Sequence, residues 1–228
     1  MQTGSDCDVI DREIIEIIWL TLRMTTASTL IATVIGVLAG LWLERVHFRG
    51  KRLIVSINRT LMGVPPVVVG LVVYLLLMRN GFFGMFRLLF TLEAMIIAQV
   101  LIISPIICGI VHTAAENRAT HIRAFAMTMG ANPWQTQKLL IKELSNDIYF
   151  AVVSGFGRAM SEVGAILIVG GNIRHQTRTM TTAISLLRNR GDFEQAIILG
   201  IILMGIVFLT QTAANLLRKK ERQHNENY

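Results

Sequence analysis

Apolar residues in this chain come in long runs separated by short charged segments. A membrane-crossing helix needs about 20 mostly apolar residues. Five runs meet that length, at 17–43, 53–78, 92–115, 148–170 and 195–217. The expected fold class is therefore all-α and integral to the membrane, with about five transmembrane helices in one domain, 1–228. The fourth run, "IYFAVVSGFGRAMSEVGAILIVGG", differs from the rest because it contains Arg158 and Glu162 among many small residues. A central Arg or Glu costs about +2.5 to +3.5 kcal/mol on insertion, and each Ile, Leu or Val returns only about −0.3 to −0.6. This helix is marginal alone in lipid and must be surrounded by protein.

Composition agrees with that pattern. The chain is 53% hydrophobic and 16% charged, with a mean hydropathy of +0.54, too little charge to cover a soluble domain. The net charge of +7 falls between the runs and reads as topology. "ERVHFRGKR" (44–52), the 116–147 loop and "RKKER" (218–222) are basic and lie on one side of a five-span chain. That side is expected to be cytoplasmic, with the N-terminus outside and the C-terminus inside. The loop 171–194 dissents, carrying Arg174, Arg178, Arg188 and Arg190 on the outer side. Asp6, Asp8, Asp11, Glu13 and Glu16 stand where a cleavable signal peptide is basic, so none is expected.

Candidate chemistry is sparse. No phosphate-binding glycine loop, HExxH, paired catalytic carboxylates or Ser/His/Asp pattern is visible. Cys7 and Cys108 make no disulfide framework, and no histidine has partners at metal-ligand spacing. An active protein of this kind draws its energy from a partner.

The loop between the third and fourth spans holds "RAFAMTMGANPWQTQKLL" (123–140). A first helix around 118–129 is expected to end at Gly130, which takes the left-handed C′ conformation cheaply. Asn132 is a good N-cap, Pro133 suits the first helical position, and Gln135 completes a capping box. An ordinary connection between spans needs the same caps, so these residues alone leave its purpose open.

"AFAMTMGANPW" resembles the EAA loop of ABC-importer permeases: Ala126 and Gly130 match the second Ala and the Gly. Ala124 stands where the family has Glu, Phe125 replaces an Ala, and "LIKE" (140–143) replaces Ile-x-Leu-Pro. "LMGVPPVVVGLVVYLLL" (61–77) and "GRAMSEVGAILIVGGN" (157–172) are similar to molybdate, sulfate and tungstate permeases. "SEVGAILIVGGNIRHQTRTMTTAI" is most similar to the tungstate type. The resemblance covers Trp19 to Leu217. It implies a type I ABC-importer permease fold that pairs with a second copy of itself. It also implies a cytoplasmic ATPase dimer that holds ATP and Mg, an extracytoplasmic oxyanion-binding protein, and no cofactor in this chain. Ala126, Gly130, Asn132, Pro133 and Trp134 are the implied ATPase contact, the hairpin serving as coupling helix.

Three further features carry paired expectations. Pro65 and Pro66 free the carbonyls of Leu61 and Met62, giving either a bend lining the pathway or a static kink; Ser104-Pro105 reads as a plain kink. Ala151, Ser154, Gly155, Arg158, Glu162 and Ala165 recur on one helical face. Arg158 and Glu162, four apart, form either a lock between helices or a lining that offers positive charge to an anion. In the outer loop, Met180, Ile184 and Leu187 predict a short helix on, or dipping into, the outer face. Arg174, Thr177, Arg178 and Thr181 near its start suit a tetrahedral dianion or a docked binding protein; a solvated basic turn is the alternative. Among functions, an oxyanion importer subunit leads. An ATP-independent channel or structural subunit is second, and a membrane enzyme trails for lack of a catalytic constellation.

Overall fold

The computed structural model describes residues 3–46 and 48–226, with side chains described for 13–46, 48–213 and 216. The side chains of Cys7, Asp6, Asp8 and Asp11 and of the basic run 218–222 lie outside the described residues. All regular structure among the described residues is helical: α1 (Thr3–Arg45), α2 (Lys51–Gly63), α3 (Pro66–Leu77), α4 (Leu92–Thr128), α5 (Pro133–Glu143), α6 (Ser145–Met160), α7 (Gly164–Gly170), α8 (Met180–Arg190) and α9 (Phe193–Glu226), with one 3₁₀ turn at Gly84–Phe86.

Three stretches are long and apolar enough to cross a membrane unbroken: Glu13–Arg45, Leu92–Thr128 and Phe193–Ala213. They coincide with the first, third and fifth expected spans. The second and fourth are present but interrupted. Each is a broken pair, α2 with α3 bent by 101° and α6 with α7 bent by 59°, so five crossings result only when each pair counts as one. At the first break, Pro65 and Pro66 remove consecutive N–H donors, and Val64 and Pro65 go extended with ψ near 130°. The Leu61 carbonyl is not left free as expected, because the Val64 N–H donates to it at 3.3 Å.

The axis of the fold is a parallel pair. α1 and α4 run side by side in step, Ser28 meeting Gln99, Gly36 meeting Ile107 and Gly40 meeting Val111. A Cβ on Gly36 would sit 2.8 Å from Ile107, so only small residues permit this approach. Ala32, Leu41, Ile103, Ile107, Val111, Ala115, Ala151 and Ala159 form the core that α6 closes. One end of the bundle therefore carries the α4–α5 corner, and the other carries the loops 78–91 and 171–179. A second core, with Val73, Leu77, Ala98, Ala165 and Val169, joins α3 and α7 to α4.

Candidate functional site

The corner at Gly130 follows from its local sequence. α4 does not stop at the end of its span; it runs on to Thr128, so the expected separate helix at 118–129 is the far end of one 37-residue helix. Gly130 has φ of +68°. Its N–H donates to the Met127 carbonyl at 3.1 Å, and the Ala131 N–H donates to the Ala126 carbonyl at 2.9 Å. That is a complete Schellman motif with glycine at C′. Two residues later the capping box closes: the Gln135 N–H donates to Asn132 Oδ1 at 2.8 Å, and the Asn132 N–H donates to Gln135 Oε1 at 2.9 Å. Pro133 opens α5. The turn between the two helices leaves no slack.

The corner is also braced at its root. Arg123 Nη2 lies 2.7 Å from Glu44 Oε2, whose side chain is only 5% exposed. Arg118 pairs with Asp147 at 2.8 Å and donates to the Glu143 carbonyl at 3.2 Å. Leu140 and Leu144 seat the far end of α5 in the main core. Beyond these braces the tip is apolar and bare: Phe125, Met127, Met129 and Trp134 are exposed, Trp134 at 79%. Gly130, Asn132 and Pro133 are exposed with them. Ala126 is corrected as a contact residue. It is 1% exposed, faces inward, and supports the corner through its carbonyl.

In the interior the two helix breaks lie side by side. A Cβ on Gly70 would meet Ala165 Cα at 2.6 Å, and one on Gly164 would meet the Val67 side chain at 2.5 Å. α3 and α7 are thus pressed together just past both discontinuities. Glu162 is 6% exposed, and its Oε1 accepts from the Ala165 N–H at 3.2 Å. It caps the start of α7, while its own carbonyl accepts from Thr181 Oγ1 at 2.9 Å. Arg158 is exposed and its Nη2 stands 3.9 Å from Glu162 Oε2. The pair is loose. The continuous small-residue face expected over 151–165 is corrected too, because the break at 161–163 turns Glu162 and Ala165 off the axis of Ala151, Gly155 and Arg158.

At the opposite end from the corner, two of the four dissenting arginines, Arg174 and Arg178, find a counter-charge. Arg174 holds Glu13 through two hydrogen bonds of 2.6 and 3.1 Å, and Arg178 adds a third at 2.9 Å. That carboxylate pushes the Arg174 guanidinium further up, so it stays cationic. His175 Nδ1 lies 2.6 Å from Glu16. The start of α1 thus supplies acidic partners to the first part of the loop, Arg174 to Arg178. Thr177 and Thr181 are corrected as outward-facing groups: both are buried. Thr177 Oγ1 donates to the Gly170 carbonyl at 2.5 Å, and Thr181 is spent on Glu162. The predicted short helix is α8, capped by a Thr179–Thr182 box, and its first residues Met180–Ala183 dip into the bundle.

Two polar groups escaped the sequence reading. Ser28 Oγ donates to Gln99 Oε1 at 2.5 Å, and Gln99 Nε2 donates to the Ala159 carbonyl at 3.0 Å, tying α1, α4 and α6 together in the buried interior. A lone amide in the middle of an apolar run was the available signal. The Glu44–Arg123 pair gave none, since its partners are far apart in sequence.

A family model described as "Binding-protein-dependent transport system inner membrane component" matches residues 32–223. The chain belongs to that family. A member of it is a multi-pass membrane subunit of a transport system and is not itself an enzyme, and the resemblance to ABC-importer permeases holds. Among curated relatives, the tungstate uptake system permease protein of Peptoclostridium acidaminophilum is 41% identical over 198 residues, 87% of each chain. A probable anion ABC transporter permease of Haloferax volcanii is 37% identical, covering 85% of this chain and 86% of its own. The tungstate uptake system permease of Campylobacter jejuni is 34% identical over 92% of this chain and 87% of its own. The solved structure of an amino acid ABC transporter with histidines matches with a TM-score of 0.71, over 96% of this chain and 99% of that one. At 16% identity it bears on the fold alone.

Proposed function

We propose that this family member is the membrane-spanning subunit of an ATP-driven oxyanion importer, with tungstate as its cargo. Two copies pair around the pathway, an extracytoplasmic binding protein delivers the anion, and a separate ATPase dimer supplies the work. The corner at Gly130 faces the cytoplasm and seats in the ATPase, while Glu13 and the 171–179 loop face outside. The observation that carries the reading is the corner itself. A doubly capped turn, braced by buried charge and tipped with bare apolar side chains, transmits a push as a rigid body, and its apolar tip calls for a partner's groove. The choice of tungstate within the oxyanions is supported by the likeness to two tungstate uptake permeases. The adjoining breaks at Pro65–Pro66 and Ser161–Val163 suit a gate, since discontinuous helices pressed together re-pack more readily than continuous ones. Arg158, exposed beside them, offers the positive charge an anion needs.

The test is reconstitution with the ATPase and the binding protein. Stimulation of ATP hydrolysis by binding protein loaded with tungstate supports the proposal. Stimulation by sulfate alone reassigns the cargo, and flux without ATP turns the protein into a channel.

A further inference from the structure

A cavity of about 510 Å³ lies between α2, α4 and α6, its wall running from Met62, next to the break after α2, to Arg118 and Asp147 on the corner side of the bundle. Its apolar walls are Val55 and Met62 of α2, Ile110 and Ala114 of α4, and Phe150 of α6. Its polar groups are of one kind. Asn58 and Arg59 come from α2, and His112, Thr113, Asn117 and Arg118 from α4, so every one of these side chains brings a hydrogen-bond donor. Asp147 is the one carboxylate in the lining, and Arg118 already holds it at 2.8 Å. Glu116 stands nearby, 4.0 Å from His112 Nδ1.

Three lining groups have atoms without a hydrogen-bond partner: Arg59, His112 and Asp147, whose Oδ2 is offset by the Arg118 charge alone. Arg59 makes no hydrogen bond or ion pair among the described residues, although a guanidinium presents five donors in a fixed fork. His112 is 3% exposed, and its Nε2, shielded from solvent, has no hydrogen-bond partner. A free guanidinium, the Asn117 carboxamide and the Thr113 hydroxyl share the cavity, whereas the Asn58 amide is already held by the Pro105 carbonyl at 3.1 Å and His112 Nε2 lies behind the wall. The first three are the complement of a small anionic group with oxygens pointing several ways.

We propose that this cavity binds a tetrahedral oxyanion. It has two sources: the transported anion after it leaves the gate, or the phosphate of a lipid headgroup. Only the first rests on the importer reading. The site places a holding point between the helix breaks and the cytoplasm, and it makes Arg59 the residue that selects for charge there.

The experiment uses the purified full-length chain in phosphatidylcholine nanodiscs. Tungstate retained at equilibrium dialysis is measured by elemental mass spectrometry. Phosphatidylglycerol carried through purification is counted by native mass spectrometry. The variants are Arg59→Gln, Arg59→Lys and Asn117→Leu. Arg59 and Asn117 are exposed, so each variant is expected to melt with the wild type. Loss of the guanidinium is expected to weaken retention by about ten- to a hundred-fold, the weight of one charge-assisted hydrogen-bond pair. Lys restores part of it, and Asn117→Leu weakens it less. Tungstate lost with Arg59→Gln identifies the cargo as occupant, and phosphatidylglycerol lost instead identifies the headgroup. Equal retention of both by wild type and Arg59→Gln, or retention of neither by wild type, overturns the site. If the site fails while ATP-driven uptake persists, the importer reading stands. If no ATPase associates, that reading falls, and the dialysis result on the isolated chain still decides the cavity.

Discussion

Removing Arg123 tests whether the corner is braced or merely attached. Its guanidinium is the salt-bridge partner of Glu44, a carboxylate 95% shielded at the end of α1, 79 residues away in sequence. Cutting one member of a fully buried pair costs about 3–5 kcal/mol, because the other charge stays behind unpaired. Arg123 is 31% exposed, so water reaches part of the pair, and Lys51, which bonds the Glu44 carbonyl at 3.3 Å, lends some positive charge. The expected cost of Arg123→Ala is therefore at the lower end, about 2–3 kcal/mol. Glu44→Gln removes the charge that needs pairing and keeps an acceptor for the guanidinium. It should cost about 1 kcal/mol.

That asymmetry is the diagnostic. For a chain of this size, about 2–3 kcal/mol lowers the melting temperature on the order of 5–10 °C, readable by tryptophan fluorescence of the purified protein. The double variant Glu44→Gln/Arg123→Ala removes both charges and should melt above Arg123→Ala, giving a coupling of about 1–2 kcal/mol in the double-mutant cycle. With the ATPase present, Arg123→Ala should also lower the anion moved per ATP more than it lowers ATP hydrolysis. A cycle coupling near zero, or Arg123→Ala no worse than Glu44→Gln, refutes the brace.

Three other substitutions separate the parts of the molecule. Gly130→Val meets no neighbouring atom but must hold φ near +68°, a strain of about 1–2 kcal/mol; uptake per ATP should fall, with Gly130→Asn milder because Asn tolerates that conformation. Trp134→Ala deletes a ring that is 79% exposed; the melting temperature of the isolated chain should not move, since surface changes stay within about 0.5 kcal/mol, while co-purification of the ATPase should drop. Gly70→Ala drives a methyl to 2.6 Å from Ala165 Cα, backbone that cannot swing aside; overpacking of about 1–3 kcal/mol should appear as reduced stability, and uptake should fail even where the protein still inserts.

What could be read from the sequence divides along a physical line. Local signals survived: the Schellman glycine at 130, the Asn132–Gln135 box and the three unbroken spans depend on residues within a few positions of one another, and the structure forms each of them. The breaks were half legible. Pro65–Pro66 announces an interruption because a missing N–H is a local fact, but the 101° angle is set by how α3 packs on α7 through Gly70 and Ala165, which hydropathy does not encode. Arg158 and Glu162 show the same limit. Their spacing suggested a helical pair, yet Glu162 serves the Ala165 N–H at the start of α7, because unsatisfied donors at a buried helix start outbid a loose ion pair at 3.9 Å. The arginines at 174 and 178 looked misplaced on charge counting alone. Glu13 resolves them over more than 160 residues of sequence, and it can do so because the parallel packing of α1 and α4 fixes which end of the bundle the acidic start of α1 reaches.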